Sequence, residues 1–371
     1  EWFTFQLRLW FIFKLTYTNT NLNVEYIDDN NFIIIHGHWC DTRDPFINKG
    51  DFLKNLLYLY LNDFEKFLNE IDYLAGRYVL MVGDLKKVLI FQDATGTRSV
   101  YYSTKHNIIS SHANLINDIY KHNETEYIDI INHYATAAHL TKYSNIFSMI
   151  PNLYLEYPSM KNIRFFPRDY NYDLTIDEVC NRINILWKNQ LEYYSNNHNN
   201  LVFSLSGGGD SRFLLAMARN YMNKFKVFTY TVNTTDNEIT NFQKTMLLDR
   251  QIVEQILKQV QLNHNYIYFK ADRTELKNIE PYLNKNSLSK HGRSLIVNYL
   301  KLFPQKNVMH MRGNLLEIGR AYWISNINRD ASLDRLKYSF MFKFNKKIKD
   351  NSISKDDLEK VFNNFFTNIK L

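Results

Sequence analysis

Residues 204–216 read SLSGGGDSRFLLA, and this stretch concentrates residue types that can do chemistry. Three of only eleven glycines stand together there, Gly207, Gly208 and Gly209. A glycine-poor chain has little reason to place three in a row for an ordinary turn. Their physical use is close backbone approach, with several amide groups facing an anion at the start of a helix. Ser206 and Ser211 add hydroxyl donors. Asp210 would repel a bare phosphate, so its presence implies a divalent cation between carboxylate and phosphates. The other use of the same residues is a tight strand-to-helix turn with Asp210 and Ser211 as helix caps. The Gly-Lys-Ser/Thr signature of a Walker loop is absent, and the glycine spacing does not match a dinucleotide fingerprint.

The flanking segments must position this loop. NLVFSLS (200–206) reads as a buried strand and RFLLAMARNYMNK (212–224) as a helix. KVFTYTVN (226–233) is the next strand, DRQIVEQILKQVQLN (249–263) the next helix, and NYIYFK (265–270) a further strand. Upstream, TIDEVCNRINILWKNQLEYYSNN (175–197) opens with a capping box from Thr175 to Glu178 and continues with helical periodicity. Alternating strands and helices with short connections predict a parallel sheet covered on both faces. Ligands of such sheets bind beyond the carboxyl ends of the strands.

Residues 1–150 follow a different pattern. FIIIHGHW (32–39), GRYVLMVGD (76–84) and KVLIFQD (87–93) are short and rich in β-branched and aromatic residues. NLLYLYLNDFEKFLNEI (55–71) has helical spacing, and DATGTRSVYYST (93–104) reads as a turn followed by a strand. This predicts an α+β layer with much antiparallel sheet. Three of the six prolines, Pro151, Pro158 and Pro167, fall within seventeen residues. Proline cannot donate to a ladder and disfavours helix before it, which predicts a connector over 151–170 and a second domain over 171–371.

At 371 residues the chain is long enough for about two domains and a sizeable core. Its 45% apolar and 22% charged content excludes collagen-like and generally disordered classes. Two cysteines, Cys40 and Cys180, cannot form a disulfide framework or a four-thiolate metal site, so a reducing cytoplasm is the simpler location. The apolar runs fall short of the ~20 residues a membrane helix needs. EWFTFQLRLWFIFK at the amino end lacks a basic leader and a small-residue cleavage site, and reads as a strand. The chain begins with Glu1 rather than Met, as a processed chain or a fragment would. Net charge is +7, but Lys and Arg are scattered among acids, which favours a basic surface without a nucleic-acid role. A homodimer is left open.

The stretch SGGGDS resembles the pyrophosphate loop, SGGxDS, of the ATP pyrophosphatase superfamily. Those enzymes cleave ATP between the α and β phosphates and activate a carboxylate or carbonyl oxygen as an adenylate. The context resembles one branch, the asparagine synthetase-like proteins. The resemblance implies an ATP site at Ser206, Gly207, Gly208, Gly209, Asp210 and Ser211, with Tyr230 and Val232 lining the adenine pocket and Leu205 below it. DRQIVEQILKQVQLNHNYIYF resembles the family's helix-His-strand stretch, with His264 at the His position, where a structural role is the alternative. MRGNLLEIGRAYW (311–323) resembles a second loop, SGxGxDExFxGY, which closes over the acyl-adenylate. Gly313 and Tyr322 fit its ends, while Leu315 and Leu316 depart from it and the Asp-Glu pair is reduced to Glu317. Glu317 is then either a second Mg²⁺ ligand beside Asp210 or a helix-surface glutamate. Arg320 either stabilises charge developing at phosphate or faces solvent. Lys290, His291 and Arg293, in SKHGRS, read as a plain basic loop within reach of a ligand.

LAGRYVLMVGDLKKVLIFQDATGTRSVYYS (74–103) resembles the family's class II glutamine amidotransferase domain, through Asp93, Gly96, Arg98, Tyr101 and Tyr102 of a D-x-x-G-x-R-x-x-Y-Y segment. TKYSNIFSMIPNLYLEY (141–157) resembles the passage into the synthetase domain, so the resemblance runs from about 30 to 325. It implies an Ntn-hydrolase-like antiparallel domain over 1–150, followed by an adenine nucleotide alpha hydrolase-like, Rossmann-like synthetase domain. Active amidotransferases use a free amino-terminal Cys as nucleophile. Here the chain begins Glu1-Trp2 and Cys40 is internal, which implies a first domain without glutaminase activity. The family's carboxyl-terminal segment with its catalytic lysine has no match in 324–371. The implied activity is ATP- and Mg²⁺-dependent activation of a carboxylate, followed by attack of ammonia or an amine. Two other readings are a non-catalytic nucleotide-binding scaffold and an adenylating tRNA-modification enzyme.

Overall fold

The structure is a computed structural model. It describes residues 3–5, 15–17, 23–28, 30–133, 138–168, 173–233, 240–268, 273–286, 293–305, 307–314, 316, 332, 334, 337, 341–342 and 344–368. Contacts divide the chain into two units, Glu1–Thr175 with Lys337–Leu371, and Ile176–Leu336.

In the first unit, β1 (Phe3–Phe5) and β2 (Leu15–Tyr17) form an antiparallel pair. There follow β3 (Asn23–Asp28), β4 (Asn31–Asp41), α1 (Lys49–Asn62), α2 (Phe64–Ile71), β5 (Leu74–Gly83), β6 (Val88–Gln92), β7 (Tyr101–Ser103) and β8 (Ile108–Ser110). Then come α3 (Ala113–Tyr120), α4 (Ile128–His133), β9 (Ile146–Ser148), β10 (Leu153–Tyr157) and β11 (Lys161–Arg164). Six strands pair antiparallel in the order β11-β10-β6-β5-β4-β3, and three more in the order β8-β7-β9.

Alternation along β4 shows how the layers stack. Ile33, Ile35 and Trp39 pack with Phe52, Leu53 and Leu56 of α1 and with Phe67 of α2. Phe32 and Ile34 point the other way, onto Tyr102 of β7 and Met149. The far side of the small sheet packs Tyr101 and Ile146 against Ala113 and Ile116 of α3. The result is four layers, helix, sheet, sheet, helix. A strand buried on both faces reads as a continuous apolar run, which is why FIIIHGHW shows little polar alternation. The single helix read over 55–71 is two, because Asp63 ends α1 and caps α2 by accepting the Lys66 amide.

The connector expected over 151–170 is not a linker. Its residues supply β10 and β11 of the large sheet. Pro151 precedes β10, Pro158 lies between the two strands and Pro167 follows β11. The prolines therefore mark strand ends, where no ladder amide is needed.

The second unit contains α5 (Ile176–Asn197), β12 (Leu201–Ser204), α6 (Gly209–Ala218), β13 (Phe225–Thr231) and α7 (Asn241–Gln259). It continues with β14 (His264–Tyr268), α8 (Arg273–Asn286), α9 (Arg293–Leu302) and β15 (Met309–Arg312). The four strands are parallel, in the order β14-β13-β12-β15. One face of this sheet packs Phe203, Phe225 and Val227 against Leu191 of α5, Leu214 of α6 and Val253 of α7. The other packs Val202, Phe228 and Ile267 against Leu295 and Tyr299 of α9. Helix α7 begins eight residues earlier than its periodicity suggested, at a capping box between Thr240 and Gln243.

The carboxyl-terminal helices α10 (Asn345–Lys349) and α11 (Lys355–Asn368) belong to the first unit, not to a domain spanning 171–371. Leu358, Val361, Phe362 and Phe366 form the buried face of α11, and Phe365 stacks on His139 with ring centroids 5.8 Å apart. Among the described residues, no helix is long and apolar enough to cross a membrane.

Candidate functional site

Strand order sets where a ligand can enter the second unit. From β12 the chain crosses to β13 and on to β14, then returns to the opposite side of β12 as β15. The switch point lies at the carboxyl ends of β12 and β15, where open parallel sheets bind ligands. The glycine loop leaves β12 at this point, and Gly208 becomes the N-cap of α6 with no side-chain cap hydrogen bond. Gly208 and Gly209 are exposed and Asp210 lies in the first helical turn, so the tip of the loop is open to solvent. First-turn amides have no acceptor within their own helix, and the helix dipole adds positive potential there.

The three glycines serve three different ends. At Gly207 an added Cβ would lie 2.7 Å from Asp249 Oδ1 and 3.1 Å from Asp249 Cα, so the loop touches the backbone of α7. At Gly208 the nearest atom is Ser206 Oγ at 3.3 Å, and at Gly209 nothing stands within 4 Å. Gly209 alone has no packing reason to lack a side chain.

Ser206 and Ser211 are turned toward each other. The Ser206 amide donates to Ser211 Oγ at 3.1 Å, and the Ser211 hydroxyl sits 2.9 Å from the Ser206 carbonyl and 3.2 Å from that of Gly208. Ser211 is buried, and its hydroxyl braces the loop. Ser206 Oγ also accepts the Gly208 amide at 3.2 Å.

Gly313 comes to the same place from a hundred residues away. It follows β15, and an added Cβ there would stand 2.6 Å from Asp210 C, Ser211 Cα and Ser211 N. Only glycine permits this backbone-to-backbone approach. In register, Ser204 pairs with Arg312, which brings a guanidinium to the carboxyl end of β15, a residue the sequence reading passed over.

The residues expected at an adenine pocket do not share one face of the sheet. Tyr230 is half-buried on the α9 face of the sheet, and Val232, 6% exposed, follows β13. Leu205 is 1% exposed in the core on the opposite, α5–α7 face. Its amide donates to the Phe228 carbonyl at 2.9 Å and its carbonyl accepts from Thr229 Oγ1 at 2.8 Å. Leu205 is therefore a core residue, and its side chain does not line a pocket with Tyr230. His264 Nε2 lies 2.8 Å from the same Thr229 hydroxyl. Because the Thr229 proton goes to the Leu205 carbonyl, His264 donates from Nε2. Burial lowers the His264 pKa to about 4, so the ring is neutral and anchors the root of the loop.

Asp249 was not found from sequence. Its carboxylate accepts the Gly207 amide, and burial raises its pKa, with that hydrogen bond acting in the opposite direction. A signal existed: Asp249 shares a helical face with Val253 and Ile256 of the core, at spacings of four and seven. Leu315, Glu317, Arg320 and Tyr322 lie outside the described residues, as do Lys290 and His291. Arg293 opens α9 and donates to Asn284 of α8 at 2.5 Å. Among the described residues, no group of three His, Cys, Asp or Glu is placed to hold a metal.

The motif of the first unit is a built turn. Asp93 accepts the amides of Thr95, Thr97 and Arg98 and the hydroxyls of both threonines. Gly96 takes φ +61°, a left-handed conformation that favours glycine. Tyr101 and Tyr102 are buried, and Arg98 donates to His36 Nε2. Burial, reinforced by the Arg98 charge, lowers the His36 pKa to about 4. Cys40, 2% exposed, faces Ala75 across the β4–β5 ladder and presents no accessible thiol.

No known family profile matches the sequence, and no curated protein matches it. Among solved structures, it is similar to a glutamine-dependent NAD+ synthetase from Acinetobacter baumannii in complex with ADP, at 10% identity and TM-score 0.27, over 60% of this chain and 41% of that one. It is also similar to an allosteric regulatory enzyme of purine biosynthesis, at 13% identity and TM-score 0.25, over 78% of this chain and 61% of that one. A third is the glutamine phosphoribosylpyrophosphate amidotransferase from B. subtilis complexed with ADP and GMP, at 12% identity and TM-score 0.26, over 83% of this chain and 76% of that one. The chain thus spans less than two thirds of the first two. With overlaps this slight, the case for function rests on the chain's own geometry.

Proposed function

We propose that the chain is an ATP-dependent, AMP- and diphosphate-forming amide ligase of the asparagine synthetase type. A carboxylate oxygen attacks the α-phosphorus and diphosphate leaves; ammonia or an amine then attacks the acyl carbon and AMP leaves. One observation carries this reading: an open, amide-rich helix start at the switch point of a parallel sheet, with Gly313 packed backbone to backbone against it. The first-turn amides of α6 and the Ser206 hydroxyl would hold the diphosphate, and Tyr230 with Val232 would border the base. Alignment of the two reactants and neutralisation of the leaving group supply most of the catalysis in such a site.

Mg²⁺ fits this loop in one way. The described residues offer no cage of protein ligands, and Asp210 brings one carboxylate to the helix start. Mg²⁺ commonly takes one or two carboxylates together with substrate phosphates. Asp210 would hold it, with Glu317 as second acid, and the ion would supply charge neutralisation at the phosphates. The four-layer first unit is read as a retired Ntn-hydrolase-like domain, since Cys40 is enclosed in β4. The nitrogen then comes from free ammonia or from the acceptor itself. Two free cysteines suit a cytoplasmic location.

Diphosphate release from MgATP, measured over a panel of carboxylates, tests the class. Release by the wild type that falls at least a hundredfold in Asp210→Ala supports it. No ATP binding, or release indifferent to that change, refutes it. A non-catalytic nucleotide-binding protein is the second reading, favoured by Leu315 and Leu316, which depart from the second-loop pattern. ATP binding without diphosphate release from any carboxylate would select it.

A further inference from the structure

Glycine loops that receive phosphate must hold their amides in one arrangement before the ligand arrives. In this chain the loop is braced within itself by Ser206 and Ser211 and from β15 by Gly313. The remaining side is closed by α7. There the Asp249 carboxylate takes the amide of Gly207, and it crowds the position a Gly207 Cβ would take, with Oδ1 at 2.7 Å and the Asp249 Cα at 3.1 Å. Ile252 Cδ1 closes the same space, 2.9 Å from the Cβ position. Gly207 is itself buried, so without an acceptor its amide would be an orphaned donor.

From these contacts we infer that Asp249 is a positioning residue for the loop, holding the Gly207 amide away from the ligand so that the amides from Gly209 onward face it. The inference rests on the proposed nucleotide site for its purpose, but not for its geometry. A surface acid in the third turn of a helix gains nothing from this contact. An acid that aims a loop gains a directional acceptor at the one residue whose amide must not swing outward. The acceptor, rather than the charge, does this work, since a neutral side chain oxygen of the same reach can take the same amide. Phosphate would then meet the amides of the first turn of α6, where Gly209 leaves open space.

The test uses the full chain and three variants, Asp249→Asn, Asp249→Ala and Asp249→Ser. Hydrogen–deuterium exchange over 203–212 is read without ligand, and MgATP affinity by calorimetry. Asp249→Asn should keep exchange near wild type and affinity within about threefold. Asp249→Ala should speed exchange at the loop at least tenfold and weaken MgATP at least tenfold, with the melting temperature within a few degrees of wild type. Asp249→Ser, too short to reach, should match the alanine variant and stands in if that one does not fold. Unchanged exchange in both shortened variants, or an asparagine variant as impaired as alanine, overturns the inference. If the wild type fails to bind MgATP while the exchange contrast persists, the nucleotide reading falls and the clamp stands.

Discussion

Substituting Gly209 separates a glycine kept for a ligand from one kept for a turn. Gly209 is the first residue of α6, and a Cβ there meets nothing within 4 Å. In the free protein alanine should therefore be accepted and should gain helix propensity, up to about 0.5–1 kcal/mol. For a unit of this size that raises the melting temperature by about 1–4 °C. In the presence of MgATP the new methyl group stands over the amides that would hold diphosphate. Forcing a methyl into a fitted contact costs about 1–3 kcal/mol, roughly a 5- to 150-fold loss of affinity. Gly313→Ala is the contrasting control, because its Cβ would run into backbone atoms of Asp210 and Ser211 at 2.6 Å. That variant should lose about 1–3 kcal/mol of stability, or about 2–12 °C. Differential scanning fluorimetry and calorimetric titration with MgATP read both effects. A Gly209→Ala protein that is more stable and still binds MgATP like the wild type would refute the reasoning. The three glycines would then be turn-makers only.

Asp210→Ala should abolish at least 99% of diphosphate release while leaving the melting temperature within about 2 °C, as checked by a coupled diphosphate assay and fluorimetry. Thr229→Val should leave both the Leu205 carbonyl and His264 Nε2 without their partner, costing about 1–3 kcal/mol in urea denaturation; a midpoint equal to wild type would mean the relay is not formed. Burial holds His36, His139 and His264 near a pKa of about 4, below the unfolded 6.5. The unfolded chain then binds more protons between those values, so stability should be full above pH 6.5 and fall as pH drops toward 4. Urea midpoints at pH 7.5, 6 and 5 check this, and His139→Gln should flatten the trend.

Local signals carried much of the fold. The glycine loop between a strand and a helix, the Thr-x-x-Glu pattern at the start of α5 and the apolar runs of β4, β5 and β6 all depend on neighbours within a few residues. Such preferences act on short stretches, so they are legible in a single chain. The prolines were read as a linker because a sequence shows where ladder donors are missing, not whether strands lie between the gaps.

What tertiary structure alone decided is which distant groups meet. Gly313 reaches Asp210 and Ser211 only because β15 returns to the far side of β12, and that order is a property of the whole sheet. Asp249 meets Gly207 because α7 packs over β12 and β13, a docking that its own helical period states only as a face. Leu205 and Tyr230 part to opposite sides because successive side chains of parallel strands face opposite layers. Helix α11 shows an apolar stripe whatever it packs on, and packing assigns it to the first unit. Propensity and period act along the chain, whereas these contacts are settled by burial of surfaces shared between elements far apart in it.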